Sequence, residues 1–145
     1  MAYNYSYIDI VSADVAFIAE ADTVNELFVA SAKATFQVMT DIDKIEQKEK
    51  FNVSLENKDA GKLLIDFLSE LLFLKDTEGI VFSEFDVQVT DDNGVFRLIA
   101  AAFGEKIDYE KKEYKTDVKA VTYHQFMFEH DEKSGKWKAQ VVLDI

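Results

Sequence analysis

The chain contains no cysteine, no proline and a single arginine among its 145 residues. Without cysteine it can form no disulfide, thiolate zinc site, iron–sulfur site or thiol nucleophile. Arg97 is the only arginine and the net charge is −12, so the chain lacks the clustered basic residues that bind nucleic-acid phosphates. We therefore expect no direct nucleic-acid ligand, and the charge favours a basic protein surface or a divalent cation.

Long apolar runs and catalytic motifs are absent as well. No apolar segment approaches the roughly 20 residues that a membrane-spanning helix needs. The start of the chain shows no basic region followed by an apolar run, so we expect no signal peptide, no membrane contact and a cytoplasmic location. No GxSxG, HExxH, GxGxxG or phosphate-loop pattern occurs, which predicts that the chain is not an enzyme.

The remaining composition predicts one globular domain over residues 1–145, because hydrophobic residues make up 48% of the chain. Its most apolar stretch, 63–85, begins as a helix and ends as a strand. The helix has apolar rows at helical spacing that predict coverage of most of its surface. One row is Leu64, Leu68 and Leu72, and a second is Leu63, Phe67, Leu71 and Leu74, to which Phe73 adds.

The ends of this helix also carry signals. Asn57 or Asp59 is predicted to cap its start, and Gly79 can take the positive φ of a C-terminal turn. The preceding Asp76-Thr77-Glu78 has two interpretations. It is a helix stop, or it is an exposed acidic corner that docks a basic partner.

The rest of the chain predicts strands and one further helix. Thr23 and Glu26 match a capping box, so a helix should run from there to about Met39. Asp91-Asp92-Asn93-Gly94 predicts a tight hairpin, and Lys106–Lys115 an exposed loop. The predicted strands are Tyr3–Ile10, Val15–Ala21, Lys48–Leu55, Ile80–Val89, Val95–Gly104, Lys119–Glu129 and Lys136–Ile145. Helices come early and hairpins late, which predicts an α+β fold with two helices on a mostly antiparallel or mixed sheet.

Three carboxylates are candidate metal ligands. Asp14 lies in the polar break between two apolar strands, Asp144 lies near the end of the last apolar strand, and Ile145 carries the terminal carboxylate. An apolar strand that runs into the chain end should hold that carboxylate against the fold. Oxygen-only ligands suit Ca²⁺, with Mg²⁺ as the alternative. From the residues alone, two unrelated surface aspartates remain the simpler interpretation.

Two histidines complete the inventory of candidate catalytic groups. His130 lies beside a predicted turn and should be solvated. His124 lies in a predicted strand, where it is either structural or the base of a hydrolase that also uses an aspartate. No motif supports the hydrolase.

Several stretches together resemble the archease family, in matching order along the chain. They are Ser12-Ala13-Asp14, Leu71–Glu78 with Val81-Phe82, Gly104-Glu105, Val118–His124 (VKAVTYH), Trp137-Lys138-Ala139 and Val141–Ile145. The resemblance implies an α+β fold in which a sheet carries two helices. It implies a non-catalytic protein cofactor of the GTP-dependent RNA-splicing ligase, which joins a 2′,3′-cyclic phosphate end to a 5′-hydroxyl end in tRNA splicing. The cofactor promotes guanylylation and repeated turnover of that ligase.

The resemblance also implies a cation site formed by Asp14, Asp144 and the C-terminal carboxylate of Ile145. The sequence departs from the family at its N-terminal motif. The family usually reads Asp-His-Thr-Ala-Asp where this chain has residues 10–14 (IVSAD), and Asp9 is shifted by one, toward the opposite face of a strand. An interface role of the missing histidine is therefore in question.

Two further expectations concern partners. The alternative function is a chaperone-like or general protein-interaction module, which would suppress aggregation of unrelated clients rather than act on one ligase. In either case we expect a monomer or a weak homo-oligomer.

Overall fold

The structure is a computed structural model that describes residues 2–9, 14–110 and 114–145. These ranges contain two α-helices, a short 3₁₀ turn at Ile42–Lys44 and seven strands. The helices are α1 (Val24–Met39) and α2 (Ala60–Glu78). The strands are β1 (Tyr3–Ile8), β2 (Val15–Ala21), β3 (Glu49–Asn57), β4 (Ile80–Asp92), β5 (Val95–Lys106), β6 (Ala120–His130) and β7 (Trp137–Asp144). Of the helices in this described part of the chain, neither is both long and apolar enough to cross a membrane.

The helix ends form as the local sequence predicts. The Glu26 N–H donates to Thr23 Oγ1 at 3.1 Å, so Thr23 caps α1. Asp59 caps α2 by accepting from the Lys62 N–H at 2.9 Å. Asn57 is the last residue of β3 and accepts from the Asp59 N–H instead. Gly79 ends α2 with a φ of +62°, in the left-handed region that favours glycine.

The strands form two antiparallel sheets. One has the order β1-β2-β7-β6 and the other the order β3-β5-β4. The predicted α+β class with two helices is therefore confirmed, while the division of the strands into two sheets is new. Both helices contact strands of both sheets, so they join the two sheets through one hydrophobic core.

Helix α1 is the more enclosed of the two helices. Every residue from Ala30 to Phe36 is buried, and the set includes the polar Ser31, Lys33 and Thr35. Because α1 packs against β1, β2 and β7 on one side and β4 on the other, it has no broad solvent face. The Lys33 ammonium reaches Glu84 on β4 at 3.1 Å, which pairs its buried charge.

Helix α2, in contrast, has a solvent face, and the prediction that Phe73 adds to its apolar rows is wrong. The Phe73 side chain is 58% exposed. It lies seven residues after Asp66, four after Ser69 and three before Asp76, and residues at these spacings share one side of a helix. The sequence signal failed because Phe73 lies between the buried Leu72 and the partly buried Leu74, at the edge of a wide apolar face.

A buried lysine fastens α2 to the segment before β6. Lys75 is 4% exposed, and its ammonium donates to Asp117 at 2.7 Å and to the Val118 carbonyl at 3.0 Å. It also pairs with Asp76 at 2.8 Å. Burial lowers the pKa of Lys75, but hydrogen bonds to Asp117 and Asp76 raise it more, so the pKa lies above its ordinary value.

A close backbone contact between β4 and β5 depends on Gly104. The two strands shift register between Phe82 and Glu84, where β4 carries one extra residue. A Cβ at Gly104 would lie 1.9 Å from the Val81 carbonyl oxygen, so no side chain fits. The next residue, Glu105, is buried and accepts from the Glu46 N–H at 3.0 Å. Gly104 thus permits the bulge in β4, and Glu105 holds the backbone of the connection that precedes β3.

We predict that Gly104→Ala destabilises the fold by more than about 3 kcal/mol, because backbone must move to admit the methyl group. The matched control is Gly135→Ala. Gly135 has a φ of +74° but nothing within 4 Å of an added Cβ, so only conformational strain of about 1–2 kcal/mol applies. Urea denaturation of both variants checks the ranking, and equal losses would contradict it.

We predict that Lys75→Met lowers the free energy of unfolding by about 1–2 kcal/mol at neutral pH, because Asp117 and Asp76 lose their partner but stay hydrated. The pKa of Lys75 is raised in the fold. Its contribution is therefore complete below the ordinary lysine value of 10.5 and disappears as the pH rises through the raised value. The difference in the free energy of unfolding between Lys75→Met and the wild type should therefore shrink as the pH rises, and urea denaturation at increasing pH measures it.

The control for this prediction is Lys62→Met on the same helix. The Lys62 side chain is exposed, and such substitutions change stability by about 0.5 kcal/mol or less. A loss for Lys75→Met that stays constant across the alkaline range would show that the ammonium group is not the source of its effect.

Candidate metal centre at the chain end

The register of β2 against β7 brings two of the predicted ligands to one end of a sheet. The strands are antiparallel, with Val15 opposite Leu143. Asp14 precedes Val15 and Asp144 follows Leu143, so the same register continued by one residue sets the two aspartates opposite each other. Directly opposite residues of antiparallel strands have Cα atoms about 4.5–5.5 Å apart. Two carboxylates that are far apart in sequence thereby become neighbours.

The chain end beside them is held on both sides. Asp144 lies opposite Ala120 of β6, and its carbonyl oxygen accepts from the Lys119 N–H at 2.8 Å. The Ile145 side chain is partly buried and packs against the hydrophobic core. An anchored last residue leaves its carboxylate little freedom to move away from the fold. The expectation that the last apolar strand pins the chain end is consistent with these contacts.

The contact with Lys119 depends in turn on Lys75. Asp117 and Val118 are bound to the Lys75 ammonium, and Lys119 is the next residue along the chain. Helix α2 therefore fixes the backbone that hydrogen-bonds to Asp144. The buried Lys75 side chain thus helps to position the chain end, although Lys75 is not one of the three candidate metal ligands.

The donor set at this end suits a hard cation that keeps other ligands. The Asp144 side chain is exposed and Asp14 is partly exposed, so both are open to solvent. Within the described residues no group of three or more His, Cys, Asp or Glu side chains could hold a metal. Two side chains and a main-chain carboxylate would supply only part of the six to eight oxygens of Ca²⁺. Water or a partner protein would have to supply the rest.

The region that departs from the family pattern is described only at its margins. Asp9 is exposed and follows β1, whose last residue, Ile8, pairs with Ala16. The sequence break at residues 11–13 and its neighbour Ile10 lie outside the described residues. The departure from the family motif, including the position of the missing histidine, therefore lies outside the described residues.

The two histidines have different surroundings, and both are exposed. His130 is exposed, as predicted, but its ring also stacks on Trp137, with centroids 3.9 Å apart and planes 5° apart. His124 is exposed and lies in an interruption of the β6–β7 pairing. The backbone N–H of His124 donates to Thr122 Oγ1 at 3.3 Å.

Clefts also lie elsewhere on the described part of the molecule, and two of them adjoin each other. One, of about 470 Å³, runs along the C-terminal end of α2 and is lined by residues that include Lys75, Tyr109 and Tyr114. A wider cleft of about 950 Å³ adjoins it and is lined by residues that include Glu46 and Glu105. Neither lining includes Asp14, Asp144 or Ile145. The Lys75 ammonium already binds two carboxylates and a carbonyl, so it offers the first cleft no spare charge.

Sequence reasoning missed two positioning features. The role of Lys75 had a detectable signal, because it occupies the position four residues after Leu71 and seven after Leu68, where an apolar residue would be expected. The interruption in β6 had none. There β6 leaves its register with β7 after Thr122 and resumes at Met127. Whether a strand contains such an interruption depends on how it pairs with its partner strand, and the local sequence does not specify that pairing.

Comparison with known proteins agrees with this fold. The sequence profile of the archease protein family (MTH1598/TM1083) matches residues 5–145. The protein archease of Pyrococcus furiosus is 42% identical over 134 residues, which cover 92% of this chain and 94% of that protein. The protein archease of Methanosarcina mazei is 39% identical over 143 residues, covering 98% and 96%.

A solved structure is similar over nearly the whole chain. It is the solution structure of Methanobacterium thermoautotrophicum protein 1598, with a TM-score of 0.85 and 38% identity. The match covers 97% of this chain and 98% of that one. Sequence profile, curated relatives and structure agree over almost the full length, and the chain therefore belongs to the archease family.

Proposed function

We propose that this protein is a non-catalytic activator of the GTP-dependent RNA-splicing ligase and acts in the cytoplasm. In this role it binds the ligase rather than RNA, and it promotes guanylylation and multiple turnover of that enzyme in tRNA splicing. It carries a divalent-cation site, for Ca²⁺ or alternatively Mg²⁺, formed by Asp14, Asp144 and the Ile145 carboxylate. Membership of the archease family supports this assignment.

The observation that carries the proposal is the β2–β7 register, which, continued by one residue beyond Val15 and Leu143, would bring the two aspartates opposite each other beside an anchored chain end. Three negative groups at one edge repel one another unless a cation lies among them. The net charge of −12 adds support, since it favours encounter with the basic surface of an RNA-handling enzyme.

Each part of the chain end has a separate task in this proposal. Asp14 and Asp144 supply side-chain oxygens, Ile145 supplies a terminal oxygen, and the Lys119 N–H holds the Asp144 backbone. A bound cation supplies positive charge at an otherwise acidic edge. Because the protein supplies few ligands, positions remain for oxygen atoms of the ligase or of its nucleotide.

We predict that Asp144→Asn weakens Ca²⁺ and Mg²⁺ binding by at least about tenfold, since affinity at such sites depends on the number of charged ligands. Isothermal titration of the purified chain with each metal measures the change. The control is Asp86→Asn, because Asp86 is an exposed aspartate in β4, on the other sheet. Equal affinities for both variants and the wild type would contradict the site.

We predict that Asp144→Ala, or one residue added after Ile145, abolishes stimulation of ligase turnover while the fold is kept. The first change removes a ligand, and the second moves the terminal carboxylate. A multiple-turnover ligation assay with and without Ca²⁺ or Mg²⁺ measures the effect, with Asp86→Ala as the control. Full stimulation by both altered chains would show that the cation site is not needed.

The same assay separates the proposal from a general interaction module. A chaperone-like protein would suppress aggregation of unrelated clients and leave ligase turnover unchanged. The proposal requires the opposite pattern. A ligase whose guanylylation and turnover are the same with and without the wild-type chain would overturn it.

A further inference from the structure

One side of the molecule combines exposed aromatic rings with acidic side chains. It consists of the solvent side of α2 and the adjacent part of β6, and we call it the α2–β6 surface. Its members are Phe73, Tyr123, Asp59, Asp66, Glu70 and Asp76. Phe73 is 58% exposed and Tyr123 is 55% exposed, and both are among the few large apolar side chains that the described residues leave in solvent.

Phe73 borders a shallow groove between α2 and the start of β6. The groove has a volume of about 240 Å³ and is lined by residues that include Leu72, Ala120 and Val121. Its lining also includes the charged Asp76 and Lys119. Such a groove can accept one side chain of a partner beside the Phe73 ring.

Tyr123 is presented by the interruption in β6. The pairing with β7 stops at Thr122 and resumes at Met127, opposite Gln140. Gln125 takes a φ of +51°, a left-handed conformation that is strained for glutamine. The Gln140 side chain donates to the Gln125 carbonyl at 3.0 Å and holds this shape. Bulges of this kind re-aim side chains out of a regular strand.

The two halves of the surface are aligned along α2. Near the helix start, Gly61 lies against Phe126 and Phe128. A Cβ added at Gly61 would lie 3.2 Å from the Phe126 ring and 3.1 Å from the Phe128 Cβ. Near the helix end, Phe73 lies beside Val121. Strand β6 therefore runs alongside the helix, with Tyr123 between these two contacts. The pKa of Tyr123 is raised, first by burial and then by the nearby charges of Asp66 and Asp59, as expected for a tyrosine beside these carboxylates.

The charges on this surface favour a cationic partner. Its four carboxylates face two exposed lysines, Lys62 on α2 and Lys119 before β6. Lys75 is buried and pairs with Asp117 and with Asp76, so among the four carboxylates of this surface it offsets only that of Asp76. Arginine is the residue that best fits both features, because its guanidinium stacks on aromatic rings and binds carboxylates through two hydrogen bonds.

We propose that the α2–β6 surface is the docking site for an arginine-bearing basic face of the partner protein, with Phe73 and Tyr123 as its aromatic anchors. The inference rests on the proposed function, in which that partner is the ligase. The surface is continuous with the predicted cation site, because Ala120 lines the groove and pairs with Asp144. One partner can therefore contact the acidic aromatic surface and the chain end together.

Another exposed apolar position on a strand provides a matched control. Ile99, at the centre of the β3-β5-β4 sheet, is 68% exposed, but its cross-strand neighbours are the uncharged Ser54 and Gln88. The Glu56 carboxylate, which lines a groove together with Ile99, is already paired with Arg97, so Ile99 offers apolar area beside a balanced charge. Substitution there tests whether exposed apolar area alone explains binding.

The experiment measures the dissociation constant of the intact chain for the ligase by isothermal titration at low and moderate salt. Phe73→Ser and Tyr123→Ser should each weaken binding at least about tenfold, whereas Phe73→Tyr and Ile99→Ser should bind like the wild type. Asp66→Asn with Glu70→Gln should weaken binding mainly at low salt, because fewer charges remain to be screened. Thermal melting verifies that each variant is folded.

The outcomes distinguish this inference from the proposed function. If the wild type binds and stimulates the ligase but Phe73→Ser and Tyr123→Ser bind equally well, the docking site is wrong and the proposed function stands. Loss of binding by Ile99→Ser instead would also overturn the docking site. If the wild type neither binds nor stimulates the ligase, the proposed function fails and the docking site fails with it.

Discussion

The pairing of β2 with β7 is the interaction on which the rest of the structure depends. It joins a strand near the start of the chain to the last strand, in a register that runs from Val15 opposite Leu143 to Ala21 opposite Trp137. Strand β7 also pairs with β6 on its other edge. Both edges of the last strand are therefore hydrogen-bonded, and residues 141–143 are buried. A strand held in this way cannot fray without exposing apolar side chains and backbone groups, so the residues that follow it are held in place.

Helix α2 reinforces that arrangement from outside the sheet. Its buried Lys75 binds Asp117 and the Val118 carbonyl, and the next residue, Lys119, donates to Asp144. The same helix presents Phe73 to solvent beside β6. The predicted cation site and the proposed docking surface thus share one rigid support. In physical terms, a partner that contacts the surface meets a chain end whose geometry is already set, which lowers the entropic cost of binding there.

Much of the fold was predictable because its signals are local. The Thr23 cap and the Asp59 cap each need only a side-chain oxygen and a nearby N–H. The Asn93-Gly94 turn forms with positive φ at both residues, as that pair favours. The misassigned Phe73 shows the limit of this reasoning. Helical periodicity locates an apolar face, but which neighbours cover its edges depends on elements far away in sequence.

The sequence by itself determined the elements, their α+β class and the acidic balance, since each follows from composition or short-range spacing. Only the tertiary structure decided that Asp14 and Asp144 lie at one sheet end, that Lys75 is a buried tether and that no side chain fits at Gly104. Each of these rests on contacts between residues distant along the chain. Such contacts are set by register and packing between elements, which local patterns do not encode.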